Sequence, residues 1–218
     1  MTKKAWIILG GIFAGLVALS AGGAGGGYFY LEYRNASWLR EALASYDKGE
    51  WARAKGYFGR YLPQDPRNAE LLEKYANASM KLDYDRLGSL RAAVTAYQQI
   101  LTYHPDREDV RQHLIDLYIK LSAWSTLDYY TRDWLRRTPG NQAILYYNAL
   151  ALDNMGSLDD AMKGYEELIA KNTDRSDVYG SYARLLREKG LEAKANEVFV
   201  NARAARPQDG QIVADYAR

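Results

Sequence analysis

A pattern of a glycine, a small residue and an aromatic residue recurs along the chain at a nearly constant spacing. A Gly is followed five residues later by Ala, and four residues after that by Phe or Tyr. The clearest copies are Gly49-Ala54-Phe58, Gly156-Ala161-Tyr165 and Gly190-Ala195-Phe199. Two more copies begin at Gly88 and Ser122, so the successive intervals are 39, 34, 34 and 34 residues. A period of this length is typical of a solenoid, whose units cannot bury their apolar faces alone.

Each unit is predicted to be two helices, A and B, joined by a tight turn. The glycine ends helix A, since it supplies a left-handed backbone or a close approach. The small residue on helix B lies where the two helices cross, and the aromatic residue fills the space beside it. A proline then ends helix B. The remaining small places are Ala93 and Leu127, the remaining aromatic places are Tyr97 and Thr131, and the proline place holds Pro66, Pro105, Pro139, Thr173 and Pro207.

These shared registers resemble the tetratricopeptide repeat family over residues 35–218. The resemblance implies an all-α fold, a right-handed superhelical α-solenoid of helix-turn-helix repeats. The family's small residue in helix A also matches, at Ala42, Ala76, Ala149, Ala183 and Ala217. The repeats are then residues 35–68, 69–107, 108–141, 142–175 and 176–209, and residues 210–218 begin a sixth.

Three departures from the family pattern lead to specific expectations. Five extra residues around Asp83 to Leu87 lengthen the turn of repeat two. Repeat three carries Leu127 and Thr131 where Ala and an aromatic are usual, so its helices are expected to pack at a different angle. Half a helix A at the end is a poor cap for a solenoid. We therefore expect a fragment of a longer protein in preference to an end that a partner covers.

Residues 1–33 are predicted to form an N-terminal membrane anchor. The run from Ala5 to Leu31 carries no charge, and at ~1.5 Å per residue it can cross a hydrocarbon core of ~30 Å. A cleaved signal peptide is the alternative. The spacing between Trp6 and Tyr28 favours the anchor, because such rings prefer the two membrane interfaces. Lys3 and Lys4 beside a short tail favour a single-pass topology with the repeats outside the cytoplasm, in the periplasm of a bacterial cell.

Composition and motifs argue against an enzyme, and no cofactor or metal is predicted. The 218-residue chain has no Cys, and its two His residues are nine positions apart rather than four. It contains no nucleophile elbow, zinc-binding helix motif or phosphate-binding loop. A net charge of +2 gives no electrostatic indication of nucleic-acid binding.

The family resemblance implies a protein-binding groove lined by helix A of each repeat. Chaperone-binding members of the family hold a peptide carboxylate with a basic clamp, but Leu39 and Leu43 occupy the first two clamp places here. Tyr146 and Tyr147 are expected either to contact a partner or to pack between helices. His113 is expected either to contact a partner or to be an ordinary surface residue of its helix. The implied groove residues are Arg40, Tyr46, Lys74, Asn77, Lys81, Gln112, His113, Asp116, Lys120, Tyr146, Tyr147, Asp153, Asn154, Arg184 and Arg187.

Two classes of function are consistent with this sequence. The first is a membrane-tethered scaffold that binds a protein or peptide in the helix-A groove. The second is the tethering and regulatory N-terminal part of a longer enzyme, with its catalytic domain beyond residue 218. A subunit that only stacks on its neighbours is a third, and the sequence indicates neither an oligomeric state nor the identity of a partner.

Overall fold

A computed structural model describes residues 32–83 and 85–210, and these residues form helices and no strand. Residues 32–47 are helical and are called α1. A short 3-10 helix, Leu62–Gln64, follows the second helix. The remaining helices are α2 (Trp51–Tyr61), α3 (Ala69–Met80), α4 (Arg86–Tyr103), α5 (Glu108–Lys120), α6 (Trp124–Arg137), α7 (Gln142–Asn154), α8 (Leu158–Ala170), α9 (Ser176–Glu188) and α10 (Glu192–Ala205).

The chain forms two compact units, and the boundary between them falls between Leu114 and Ile115, within α5. In the first unit, α3 packs against both α2 and α4. In the second unit, α6 packs on α7, α7 on α8, α8 on α9 and α9 on α10. Each of these neighbours along the chain is therefore also a neighbour in space, which is the packing expected of helical repeats.

The predicted packing roles of the small and aromatic places are confirmed. Every one of these ten side chains is at most 2% exposed, from Ala54 and Phe58 in the first repeat to Ala195 and Phe199 in the fifth. The helix-A places Ala42, Ala76, Ala149 and Ala183 are equally buried. The last predicted helix-A match, Ala217, lies outside the described residues. Small residues at these places let the axes of neighbouring helices approach closely.

The turn from helix A to helix B is built in the same way in four repeats. Gly156 has a φ of 77°, and the N–H of Ser157 donates to the carbonyl of Leu152, 2.9 Å away. This bond to the fifth residue back, after a left-handed residue, is the Schellman ending of a helix. The same arrangement recurs at Gly49 and Gly190, and also at Ser122, which takes a left-handed φ of 50° without being glycine.

Gly88 serves a different purpose from the other glycines of its series. It lies in the first turn of α4, where its N–H donates to the Asp85 carboxylate at 3.2 Å. A Cβ on Gly88 would overlap that carboxylate, so a larger residue would force the Asp85 side chain to move, and the backbone of Gly88 is not left-handed. The predicted role in ending helix A is thus wrong for repeat two, because the inserted residues move the turn upstream of Gly88.

Prolines follow the ends of three B helices as predicted, whereas in repeat one a 3-10 helix separates the end of α2 from Pro66. Pro105, Pro139 and Pro207 each lie two residues beyond the last residue of α4, α6 and α10. In repeat four, where Thr173 replaces proline, a second Schellman ending takes over. Asn172 adopts a φ of 53°, and the N–H of Thr173 donates to the carbonyl of Leu168 at 3.0 Å. A left-handed residue therefore ends α8 where the other B helices end before a proline.

A buried polar network replaces the missing aromatic ring of repeat three. The Thr131 hydroxyl accepts from the side-chain amide of Asn148 at 3.0 Å and donates to the carbonyl of Leu127 at 2.7 Å. The same amide donates to Asp128 at 2.9 Å, and Arg132 holds both carboxylate oxygens of Asp128 at 2.7 and 2.5 Å. The network links α6 to α7, and each polar group that is buried in it has a partner.

The predicted membrane anchor falls almost wholly on residues 1–31, outside the described residues. Among the helices that the structure does describe, none combines the length and the apolar character needed to cross a bilayer. The transmembrane helix therefore stays a prediction.

Candidate protein-binding surface

In the first unit, the predicted groove residues of α1 and α3 differ in exposure. Arg40 and Lys81 are exposed, whereas Lys74 and Tyr46 are half-buried. The Lys74 ammonium lies 5.3 Å from the centre of the Tyr46 ring and 3.3 Å from the Glu70 carboxylate. These contacts hold a cation against an aromatic ring between successive A helices.

Asn77 and His113 are brought together by a residue that sequence reasoning treated as structural. The Tyr97 hydroxyl donates to the Asn77 side-chain oxygen at 3.2 Å, and the His113 ring stacks on the Tyr97 ring with centroids 5.2 Å apart. Burial, followed by the nearby Glu73 charge, raises the pKa of Tyr97 to about 12. His113 itself is exposed, as is its neighbour Gln112. The site therefore presents an imidazole that rests on a buried phenol.

Asp153 and Arg184, both predicted from the sequence, form one network in the second unit. The Arg184 guanidinium donates to both oxygens of Asp153, at 2.7 and 2.5 Å, and also to Glu188 at 2.5 Å. The Tyr165 hydroxyl donates to Asp153 at 3.2 Å. Burial and the Asp153 charge raise the pKa of Tyr165, so the phenol stays protonated and acts as a donor. The Arg184 side chain nevertheless keeps 49% of its surface exposed.

Tyr146 and Tyr147 lie in contact, but they differ in accessibility. Tyr146 belongs to the core and is 8% exposed, and its hydroxyl donates to Asp177 at 2.7 Å. The Arg175 guanidinium lies 3.6 Å from the centre of its ring. Burial and the bond to Asp177 raise the pKa of Tyr146 to about 12. The packing alternative fits Tyr146, whereas Tyr147 is only half-buried, with its ring 5.1 Å from that of Tyr146.

The other predicted groove residues lie apart from these networks. Asp116, Lys120 and Asn154 are exposed. The Asn154 amide donates to the Leu150 carbonyl of its own helix at 2.8 Å. Arg187 lies 3.4 Å from Glu192 and 5.5 Å from the centre of the Phe199 ring. Arg187 therefore joins its A helix to α10 rather than to the Asp153 network.

One arrangement is common to the two units. A tyrosine at the aromatic place of helix B points its hydroxyl at a polar groove residue of helix A in the same repeat: Tyr97 at Asn77 and Tyr165 at Asp153. Sequence reasoning assigned these tyrosines to packing alone. The signal that could have found them is the choice of Tyr over Phe at a buried place, because a buried hydroxyl needs a partner.

The surface consists of hydrogen-bonding and charged side chains. Across residues 32–83 and 85–210, no group of three His, Cys, Asp or Glu side chains is placed to hold a metal ion. The groups in the networks are hydrogen-bonding and charged side chains on rigid helices, the kind of surface that positions a bound chain.

Known proteins resemble this chain in structure rather than in sequence. No family model and no curated protein matches the sequence. Crystallised MamA is similar, with 19% identity and a TM-score of 0.57 over 78% of this chain and 90% of that one. MamA residues 41 to the end from Desulfovibrio magneticus RS-1 are 15% identical, with a TM-score of 0.55 over 81% and 97%.

A tetratricopeptide repeat protein from Parabacteroides merdae ATCC 43184 is 18% identical, with a TM-score of 0.58 over 84% of this chain and 71% of that protein. The chain has a tetratricopeptide-like helical-repeat fold. The similarity at these identities concerns the fold, and it agrees with the burial of the repeat places described above.

Proposed function

We propose that this protein is a tetratricopeptide-like scaffold that binds a protein partner through the exposed polar side chains of its A helices. The fold supports a role in protein interaction, because its repeats present rows of side chains on rigid helices. The proposed role is non-catalytic, and it uses the predicted groove residues as contacts.

The Asp153–Arg184 network is the observation that carries this proposal. Arg184 is held at both terminal guanidinium nitrogens, yet half of its side chain is exposed. A charged group that is already held in place loses little conformational freedom when a partner binds, so more of the interaction energy appears as affinity. Tyr147 and Asn154 lie on the neighbouring helix α7, and they complete the proposed contact surface in place of the buried Tyr146.

We further propose that residues 1–33 tether the scaffold to a membrane and that the repeats lie outside the cytoplasm. Support comes from the uncharged run between Ala5 and Leu31 and from the lysines that precede it. Protease added to intact spheroplasts is expected to digest the repeats, whereas full protection would contradict this topology. Mass spectrometry of the mature amino terminus would distinguish a retained anchor from a cleaved signal.

Site-specific photo-crosslinking tests the groove. A photoreactive residue placed at Asn154 is expected to capture a partner in the native host, whereas the same residue at Lys163, which is exposed on helix B, should not. The crosslink should disappear when Arg184→Glu is added, with the circular dichroism spectrum unchanged. Identical crosslinks from positions 154 and 163, or crosslinks that persist in the Arg184→Glu variant, would contradict the proposal.

A further inference from the structure

The first unit contains an apolar cleft of about 350 Å³, and none of the predicted groove residues lines it. Its volume is at the lower end of the range of ligand pockets, roughly 300–1,000 Å³. The cleft lies where α2, the following 3-10 helix, α3 and α4 meet. Its apolar lining includes Leu62, Pro63, Leu72, Tyr75, Ala92 and Ala96.

Small side chains keep the cleft open. On α2 the wall contains Gly59, and a Cβ built there would touch only the Tyr75 ring, at 3.7 Å. On α4 the facing wall contains Ala92 and Ala96. The equivalent places in repeats four and five are Glu166, Lys194 and Val198, which are larger. The opening is therefore a property of the first two repeats and not of every repeat pair.

The two B helices that border the cleft carry only positive charge. Helix α2 contains Arg53, Lys55 and Arg60, and α4 contains Arg86 and Arg91, while neither helix contains an Asp or Glu. In contrast, the B helix of repeat four has four carboxylates against one lysine. The cleft thus lies within a basic surface.

Several of these cations are close to the cleft and lack an ionic partner among the described residues. Lys55 is one helical turn before Gly59, and Arg91 is one turn before Thr95, and both Gly59 and Thr95 line the cleft. Lys55 approaches the Ser89 hydroxyl at 3.4 Å, between α2 and α4. Arg60 and Arg91 are exposed and form no ion pair with a described residue. These charges are available to a ligand.

The carboxylates nearest to the cleft in the sequence are already engaged. Glu50 pairs with Arg53 at 2.8 Å, the one cation of α2 with an ionic partner among the described residues. Asp85 caps the start of α4 through Gly88. Asp65 accepts from the Asn68 amide at 2.8 Å. Asp65 and Asp85 keep their negative charge, but Lys55, Arg60, Arg86 and Arg91 outnumber them, so the surface around the cleft stays net positive.

We propose that this cleft is a second protein-docking site, which binds an acidic amphipathic segment of a partner by taking its apolar side chains between α2 and α4. Negative side chains of the segment would then face Lys55, Arg60 and Arg91. Complementary charge of this kind steers association and fixes orientation, and insertion into an apolar cleft supplies affinity. An anionic membrane surface is the rival ligand. The concave shape favours the peptide, because bilayers are entered by protruding apolar side chains.

Fluorescence anisotropy with a labelled peptide tests the proposal. The peptide carries Leu at positions i, i+3, i+4 and i+7 of a helical repeat and Glu elsewhere, and matched peptides replace Glu by Lys or Leu by Ser. The full chain is expected to bind the first peptide, and both matched peptides should bind much more weakly. Arg60→Glu with Arg91→Glu should weaken binding by about tenfold or more. Thr95→Trp, at an exposed rim position, should have a similar effect by blocking the cleft.

The matched control is Lys163→Glu with Lys194→Glu, which makes the same change in charge at exposed B-helix positions of the second unit. Its binding should stay within about twofold of wild type, since neither lysine lines the cleft. Failure of the acidic peptide to bind, equal binding of the Lys peptide, or equal loss in the control variant would overturn the proposal. Vesicles containing phosphatidylglycerol test the rival ligand, an anionic membrane surface. Vesicle binding that requires Arg60 and Arg91, without peptide binding, would assign the surface to a membrane instead.

Discussion

Two glycines inside B helices should respond in opposite directions to the same substitution. Gly164 in α8 lies against Ala149 of α7, and a Cβ at Gly164 would be 2.9 Å from the Ala149 Cβ, closer than carbon atoms pack. Gly56 in α2 has nothing within 4 Å of the corresponding position. Both have right-handed backbones, so neither position needs glycine for its conformation.

The magnitudes follow from two opposing effects. Alanine is favoured over glycine inside a helix by about 1 kcal/mol, and this gain applies at both sites. Overpacking a close helix contact costs about 1–3 kcal/mol, and this cost applies only at Gly164. Gly56→Ala is therefore expected to raise the free energy of unfolding by about 1 kcal/mol. Gly164→Ala should lower it by about 0–2 kcal/mol, the overpacking cost less the helix gain.

Chemical denaturation followed by circular dichroism measures both variants. The double variant Gly164→Ala with Ala149→Gly isolates the contact, because it restores the space between α7 and α8 while moving the methyl group to the other helix. The free energy of unfolding of the double variant should exceed the value expected from adding the two single changes, by an amount comparable to the overpacking cost. If Gly164→Ala stabilises the protein as much as Gly56→Ala, the close approach of α7 and α8 is not the reason for glycine at position 164.

Further substitutions and a pH titration test the remaining packing and electrostatic arguments. Ala161→Leu should lower the free energy of unfolding by about 1–3 kcal/mol, because Ala161 is fully buried where α7 and α8 cross, and an unchanged melting temperature would show that the repeat register is wrong. Ser122→Gly should stabilise the protein by up to about 1 kcal/mol by relieving a left-handed non-glycine residue, whereas Ser125→Gly on the exposed face of α6 should destabilise it. The pKa values of Tyr97 and Tyr146 are raised from 10 to about 12 in the folded state. The stability that these protonated hydroxyls contribute to the folded state is therefore complete below pH 10 and is lost as pH rises through 12. The Tyr97→Phe and Tyr146→Phe variants should show a shallower loss of stability over that range in alkaline denaturation, and identical slopes would contradict this account.

The sequence predicted the regular part of the fold well, because the period directly specifies which residues face the core. Ala54 and Phe58 are buried for the same reason as Ala195 and Phe199, and one register accounts for all four. The position of the turn between helix A and helix B was also predicted correctly wherever the repeat spacing was intact. The prediction failed at Gly88, because the inserted residues change which backbone position forms the turn. A periodic pattern does not indicate where the turn lies within an insertion.

The candidate site was less predictable, because its geometry depends on side-chain contacts between helices, both within a repeat and between repeats. The position of Tyr146 is decided by Arg175 and Asp177, which belong to the linker and the helix that follow α8. The hydroxyl of Tyr97 reaches a residue 20 positions earlier, and that of Tyr165 reaches one 12 positions earlier. No single spacing rule predicts both contacts, even though the two tyrosines occupy the same place in the repeat.

The polar network around Thr131 limits how freely the repeats of this protein can be exchanged. Where neighbouring repeats pack only through apolar side chains, one repeat can replace another, since any similar apolar surface can pack against the aromatic side chain of helix B. Asp128 instead requires the amide of Asn148, and the equivalent places in other repeats hold Glu41, Tyr75, Leu114 and Tyr182. A chimera that substituted one of those repeats for residues 142–175 would leave a buried carboxylate paired with Arg132 but without its amide donor, and the loss of such a bond costs about 1–3 kcal/mol. Repeats three and four are therefore a matched pair that must be transplanted together.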